Sequence, residues 1–241
     1  MNNPDILNEK IIDVYKIWLS EIQQTSPHLL SDDFSNIFCT GVADNWCSSD
    51  MRILIVGEEA TWKSRSEYTY SNYSLELNEC QKWIIDELNS QLYDDNTKKY
   101  PHAFWKRIQD IHSAFPEAQI CWTNIDVINT KSGKALKQKD RKALHSCETR
   151  LLQEVIKITN PTHIIFFGWH NTSLEHELPE LLNTAYPDGI ADNSFIKSQN
   201  YIFNTKFDGK NVILSYHPNY VPIRNNKNYI NKLIKLIKQE N

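Results

Sequence analysis

Apolar residues at the start of the chain (Ile6, Leu7, Ile11, Val14, Tyr15, Trp18 and Ile22) recur at helical spacing, which predicts an amphipathic helix over 6–22. A short β-branched run ending in glycine, Arg52-Ile53-Leu54-Ile55-Val56-Gly57, predicts a buried strand that feeds a turn. Residues 60–76 are rich in Ser, Tyr and Asn without a period and read as a long loop. Helical spacing returns over 78–93 and 102–114. A second buried strand follows over Gln119–Asn124 and a long helix over 140–159, which Asn160-Pro161 stops. Residues 162–168 (THIIFFG) form a third strand, a helix is expected over 170–183, and an irregular stretch leads to a fourth strand over 211–215 (NVILS). A last helix covers 226–239.

Buried strands alternating with helices define an α/β fold, a three-layer α/β/α sandwich around a central, mainly parallel four-stranded sheet. The 241 residues read as a single domain over 1–241, with an N-terminal helical extension over 1–50 packed on a core over 51–241. With 40% hydrophobic and 23% charged residues, wholesale disorder and coiled coil are excluded. No apolar run approaches the roughly 18 residues of a membrane helix. The first residues lack the basic and apolar regions of a signal peptide. The five cysteines (39, 47, 80, 121 and 147) contain no C-x-x-C and read as free thiols, so a cytoplasmic protein is expected.

Net charge is −4, but it is distributed unevenly. Residues 1–60 carry three basic and ten acidic residues, residues 131–142 six basic and one acidic, and residues 197–241 eight basic and two acidic. Two basic segments on an acidic body can form a local positive surface, or simply a solvated loop and a lysine-rich helix face.

In parallel sheets ligands bind at the carboxyl ends of the strands. Here those ends carry Gly57-Glu58-Glu59, Thr123-Asn124, Gly168-Trp169-His170 and His217-Pro218. A carboxylate such as Glu58 can polarise water or offset positive charge on a substrate; acidic residues also favour helix N-termini. Asn124 offers a donor and an acceptor, as reading a nucleobase edge requires, and asparagine also forms turns at strand ends. A neutral His217 can donate to an oxygen that gains charge, and His-Pro is also an ordinary strand-to-loop corner. Tyr68, Tyr70 and Tyr73 could supply a stacking face or pack their own loop. There is no G-x-S-x-G, G-x-G-x-x-G or Walker loop, and no histidine or cysteine spacing that argues for a metal, so no metal and no cofactor are expected.

In order along the chain, these segments resemble the uracil-DNA glycosylase superfamily, most closely its thermostable family-4-like branch. Ile55-Val56-Gly57-Glu58-Glu59-Ala60-Thr61 stands where that branch has Gly-Glu-Ala-Pro-Gly after a strand. Thr123-Asn124 followed by Lys131 to Lys142 is similar to its Thr-Asn and basic loop. Pro161 to Gly168 is similar to its P-x-x-I-x-x-x-G, and Tyr216-His217-Pro218-Asn219-Tyr220-Val221-Pro222-Ile223-Arg224 to its terminal H-P-S-Y-x-x-R. The likeness spans roughly residues 50–240, making 51–241 a glycosylase-like core. The Pro-Gly of the first motif is replaced by Ala60-Thr61, and Asn219 replaces a serine. Of the branch's four cluster cysteines only Cys147 falls at a comparable place, so no iron–sulfur cluster is expected.

The resemblance implies hydrolysis of the N-glycosidic bond of uracil or another deaminated base in DNA, by a monomer with no membrane partner. Glu58 and His217 would be catalytic, and Gly57, Asn124 and Tyr68 would bind the base. Lys131, Lys134, Asn219, Tyr220 and Arg224 would contact DNA. The alternative is a glycosylase-fold module that binds nucleic acid or a protein without cleaving anything.

Overall fold

The structure is a computed structural model, and it describes residues 3–31, 34, 37–59, 73–94, 102–130, 136–168, 202–220 and 226–239. Helix α1 (Pro4–Thr25) opens on Asn3, whose side chain accepts from the Asp5 N–H, with Pro4 in the first turn, where no amide hydrogen is needed. It buries Leu7, Ile11, Ile12, Tyr15, Trp18, Leu19 and Ile22, one stripe at helical spacing. The remaining helices are α2 (Tyr73–Tyr93), α3 (Ala103–Ala114), α4 (Gln138–Thr159) and α5 (Lys227–Lys238). Helix α4 ends at Asn160, held in the left-handed region at φ 42°, and Pro161 follows.

Strands β1 (Arg52–Glu59), β2 (Gln119–Asp126), β3 (His163–Phe167), β4 (Ile202–Phe207) and β5 (Lys210–Ser215) form one sheet in the order β2-β1-β3-β5-β4. The four strands expected from sequence run parallel to their neighbours. A further strand, β4, lies antiparallel to β5 at the edge and lengthens the sheet to five. Asp208 and Gly209 join the pair, both at positive φ (48° and 73°), as a two-residue hairpin of the I′ kind requires. The helix expected over 170–183 lies outside the described residues.

Alternation along the strands sorts the core into two faces. Ile53, Ile55, Ile120, Ile165, Phe167 and Ile213 pack with Leu88 and Leu92 of α2, Ile108 and Ile111 of α3, and Leu233 and Ile237 of α5. Leu54, Val56, Cys121, Ile164, Phe166, Val212 and Leu214 pack with Leu152 and Ile156 of α4 and with Leu7 of α1. Helices on both faces make the three-layer sandwich.

The first 50 residues are joined to this sandwich by specific bonds as well as by apolar area. Helix α1 packs along α4, with Ile11, Tyr15, Trp18 and Ile22 among Leu144, Cys147, Leu151 and Val155. The Trp46 indole donates to the Thr159 carbonyl at 2.7 Å. Asn8 exchanges two hydrogen bonds with the Val42 backbone, at 2.8 and 3.0 Å. Among the described residues no helix is long and apolar enough to cross a membrane.

Candidate functional site

Parallel pairing places Gly57 directly beside Asn124, and it continues to Glu59 beside Asp126. Both strands therefore run two residues past the ends expected from sequence, and Gly57 and Asn124 sit in rigid, paired backbone. Glu58 belongs to the end of β1; its side chain lies outside what the structure describes. Tyr68, Lys131, Lys134 and Arg224 also lie outside the described residues.

Asn124 is 2% exposed. Its Oδ1 accepts from the Trp122 indole N–H at 3.2 Å, whereas its Nδ2 is buried without a hydrogen-bond partner among the described residues. An unpaired buried amide is costly, by about 1–3 kcal/mol. Trp122 is two residues before Asn124 and so shares its side of the sheet. Its ring is wedged by Phe38, Trp105 and Phe104, with centroids at 4.5, 5.1 and 5.3 Å.

His217 stands just past the end of β5. Its Nδ1 accepts from the Asn219 backbone N–H at 3.2 Å, so a neutral ring carries its proton on Nε2. The Tyr220 N–H donates to the His217 carbonyl at 2.8 Å and closes a tight turn over 217–220. Pro218 is buried within this turn, while Asn219 and Tyr220 are exposed at its tip. The Tyr220 ring stacks on Tyr216 with centroids 4.8 Å apart.

Phe104 connects the two halves. It lies in the first turn of α3, half-buried, 5.3 Å from Trp122 and 6.4 Å from His217, with its ring within 16° of parallel to the imidazole. Sequence reasoning misses both Phe104 and Trp122 as site residues. The spacing Trp122-x-Asn124 on a strand is a usable signal, because residues two apart share a face. Nothing comparable points to Phe104, which reaches the site only through tertiary packing.

Beneath His217 the β5 end is tied to two helices. Ser215 donates to the Tyr216 carbonyl at 3.0 Å and is hydrogen-bonded to the hydroxyl of Tyr229 on α5. The Arg107 guanidinium of α3 lies 5.0 Å from the centre of the Tyr229 ring and pairs with Asp110 at 3.1 Å. Arg107 is 2% exposed, and burial draws its pKa down, with Tyr229 and Asp110 acting in the opposite direction. Burial pushes the Tyr229 phenol up to about 12, against the pull of Ser215 and Arg107.

The basic segments are divided by the fold. Lys137, Lys139 and Lys142 are exposed around the start of α4, but Arg141 pairs with Asp126 of β2 at 3.5 Å. The last turn of α5 lies at the opposite end of the strands from the site: the Ile237 and Leu236 carbonyls bond His163 and Asn211, at the starts of β3 and β5. A cleft of about 500 Å³ between α1 and α2 is bordered by Asp5, Glu9 and Asp44 against Lys82, and neither Asn124 nor His217 reaches it. Its acidic rim does not suit a phosphate backbone. Among the described residues no three His, Cys, Asp or Glu side chains come together as a metal site would need.

Comparison with known families and with curated proteins gives no matching family model and no matching relative.

Proposed function

We propose that this protein is a DNA glycosylase that hydrolyses the N-glycosidic bond of uracil or another deaminated base. The observation that carries the reading is the buried Nδ2 of Asn124, unpaired at the carboxyl end of the sheet. An acceptor on a bound base would satisfy it. The motif order that resembles the uracil-DNA glycosylase superfamily supports the same reading, as does a His217 ring set up to donate from Nε2.

The base must leave the helical stack to reach the strand ends, or be taken from single-stranded DNA. As the C–N bond breaks, positive charge develops on the sugar and negative charge on the departing base. His217 donates to the oxygen of the base that gains charge. Glu58 orients or deprotonates the attacking water and offsets the charge on the sugar. Asn124 reads the base, and Phe104 offers it an aromatic face. Asn219 and Tyr220 on the exposed turn enter the vacated stack, and Lys131, Lys134 and Arg224 hold phosphates. The protein acts as a monomer without a cofactor. The free state of all five cysteines supports a cytoplasmic location.

The test is an excision assay on end-labelled single- and double-stranded oligonucleotides carrying one uracil, hypoxanthine or xanthine, followed by alkali. Cleavage by the wild-type chain that falls by about 10²-fold or more in both Glu58→Ala and His217→Ala is expected. No cleavage by folded protein that still binds DNA would replace this reading with a binding module.

A further inference from the structure

We propose that the cleft between α1 and α2 is a binding site for a linear polyamine, separate from the strand ends and independent of the glycosylase reading. The cleft, of about 500 Å³, is bordered by Asp5, Glu9 and Asp44 against Lys82. Among the described residues none of these three carboxylates has an ion-pair partner, whereas Asp13, Asp110 and Glu154 each pair with a basic residue. The α1 dipole, which acts within the first turn, accounts for Asp5 but not for Glu9 or Asp44.

The buried floor of the cleft points to the same kind of ligand. Gln81 is 6% exposed, and its Nε2 donates to the carbonyls of Thr40 and Asn8, at 2.8 and 3.2 Å. Two carbonyl partners fix that end of the amide as the nitrogen. The other end, Oε1, accepts no hydrogen bond among the described residues, on a side chain that lines the cleft. Asn8 cannot supply a donor, because its own amide is taken up by the Val42 N–H and carbonyl. Gly41 lets α2 lie this close: a Cβ there would fall 2.6 Å from Gln81 Cγ. The floor is fixed before any ligand arrives, and Gln81 presents an acceptor only.

Size and spread narrow the ligand to a class. Among the described residues no three His, Cys, Asp or Glu side chains converge as a metal needs, so the negative charges suit a cation with several separated centres. Asp5 and Glu9 stand one helical turn apart, about 6 Å along α1. Amines joined by three or four methylenes can match that spacing. Val42 and Ile85 line the same cleft and offer apolar surface to the methylenes. Ammonium groups only donate, which suits both the carboxylates and Gln81 Oε1.

The experiment is calorimetric titration of the full chain, free of DNA, with spermidine, n-butylamine and magnesium chloride at constant ionic strength. Spermidine is expected to saturate one site with a Kd below about 1 mM, and butylamine and magnesium to bind at least about 10-fold more weakly. Glu9→Gln combined with Asp44→Asn, both at exposed positions, should weaken spermidine binding at least about 10-fold. Asp13→Asn, on α1 but outside the cleft, should leave the Kd unchanged. Equal loss in both variants, equal affinity for butylamine, or no saturation by the wild type overturns the proposal. A ¹⁵N correlation spectrum of the wild type gives a readout that needs no variant: spermidine shifts the Gln81 side-chain amide signals. Spermidine that binds without moving them occupies some other acidic surface, and the proposal fails. Excision activity bears on neither result.

Discussion

The amide oxygen of Asn124 occupies the space that a side chain on Gly57 would need, 2.2 Å from where its Cβ would stand. The two residues are register partners on adjacent parallel strands, so neither can slide away from the other without breaking the ladder. Gly57→Ala should therefore be an overpacking mutation, destabilising the protein by about 1–3 kcal/mol in urea unfolding. Excision should fall further than the reduced stability explains, because the displaced group is Asn124. Wild-type unfolding and wild-type rates in this variant would show that Asn124 does not lie over Gly57.

Stability should decline in alkali. Burial raises the pKa values of Cys39, Cys121 and Tyr15, takes Cys147 up to about 12 and takes Tyr229 up to about 12. The unfolded chain releases these protons at the ordinary values, near 9 for thiols and near 10 for phenols. Above about pH 9 the folded state then binds more protons than the unfolded state, and unfolding becomes easier as pH rises. The stabilisation is complete below about pH 9 and is progressively lost above it. Thermal unfolding from about pH 7 to about pH 11 tests this, with a falling Tm expected; Tyr229→Phe should flatten the slope above about pH 10.

Tyr229→Phe should also cost about 1 kcal/mol at neutral pH, the usual value of one hydrogen bond, since Ser215 keeps its bond to the Tyr216 carbonyl. The corner bearing His217 is then held by one tie fewer. Excision should decline in kcat more than in KM, measured beside thermal unfolding.

Charge reversal should separate the two basic regions. Lys235→Glu and Lys238→Glu lie on the last turn of α5, against the strand starts, and should leave DNA affinity and its salt slope unchanged. Lys131→Glu and Lys134→Glu should weaken binding at every sequence and lower the salt slope by about one unit for each phosphate that is no longer neutralised. Fluorescence anisotropy over a range of salt concentrations distinguishes these outcomes.

The parallel strands are legible in the sequence because strands covered on both faces read as unbroken apolar runs, as in Ile53 to Val56 and Ile164 to Phe167. Their ends are less so: Glu59 and Asp126 are register partners that extend both strands, which local sequence does not reveal. Strand β4 escapes sequence reading because Ile202-Phe203-Asn204-Thr205-Lys206-Phe207 mixes polar residues into an edge position, although Asp208-Gly209 is a hairpin signal. At the site, Asn124 and Gly57 are legible from their place after buried strands. The link from Trp122 to Asn124 needs the alternation of the strand, and that from Phe104 to His217 needs the packing of α3.

The pairing of α1 with α4 also sets the order in which the chain can fold. Glu21 waits for Arg150, 129 residues later, and Trp46 waits for Thr159, 113 residues later. At about 5–20 residues per second of synthesis, the apolar stripe of α1 goes uncovered for roughly 6–26 s while its partner is still being made. During that interval Ile11, Tyr15, Trp18 and Ile22 lack the α4 side chains that cover them in the fold. Helix α1 thus docks on α4 only after α2 and α3 have been made, and pairings so distant in sequence are ones that slow folding.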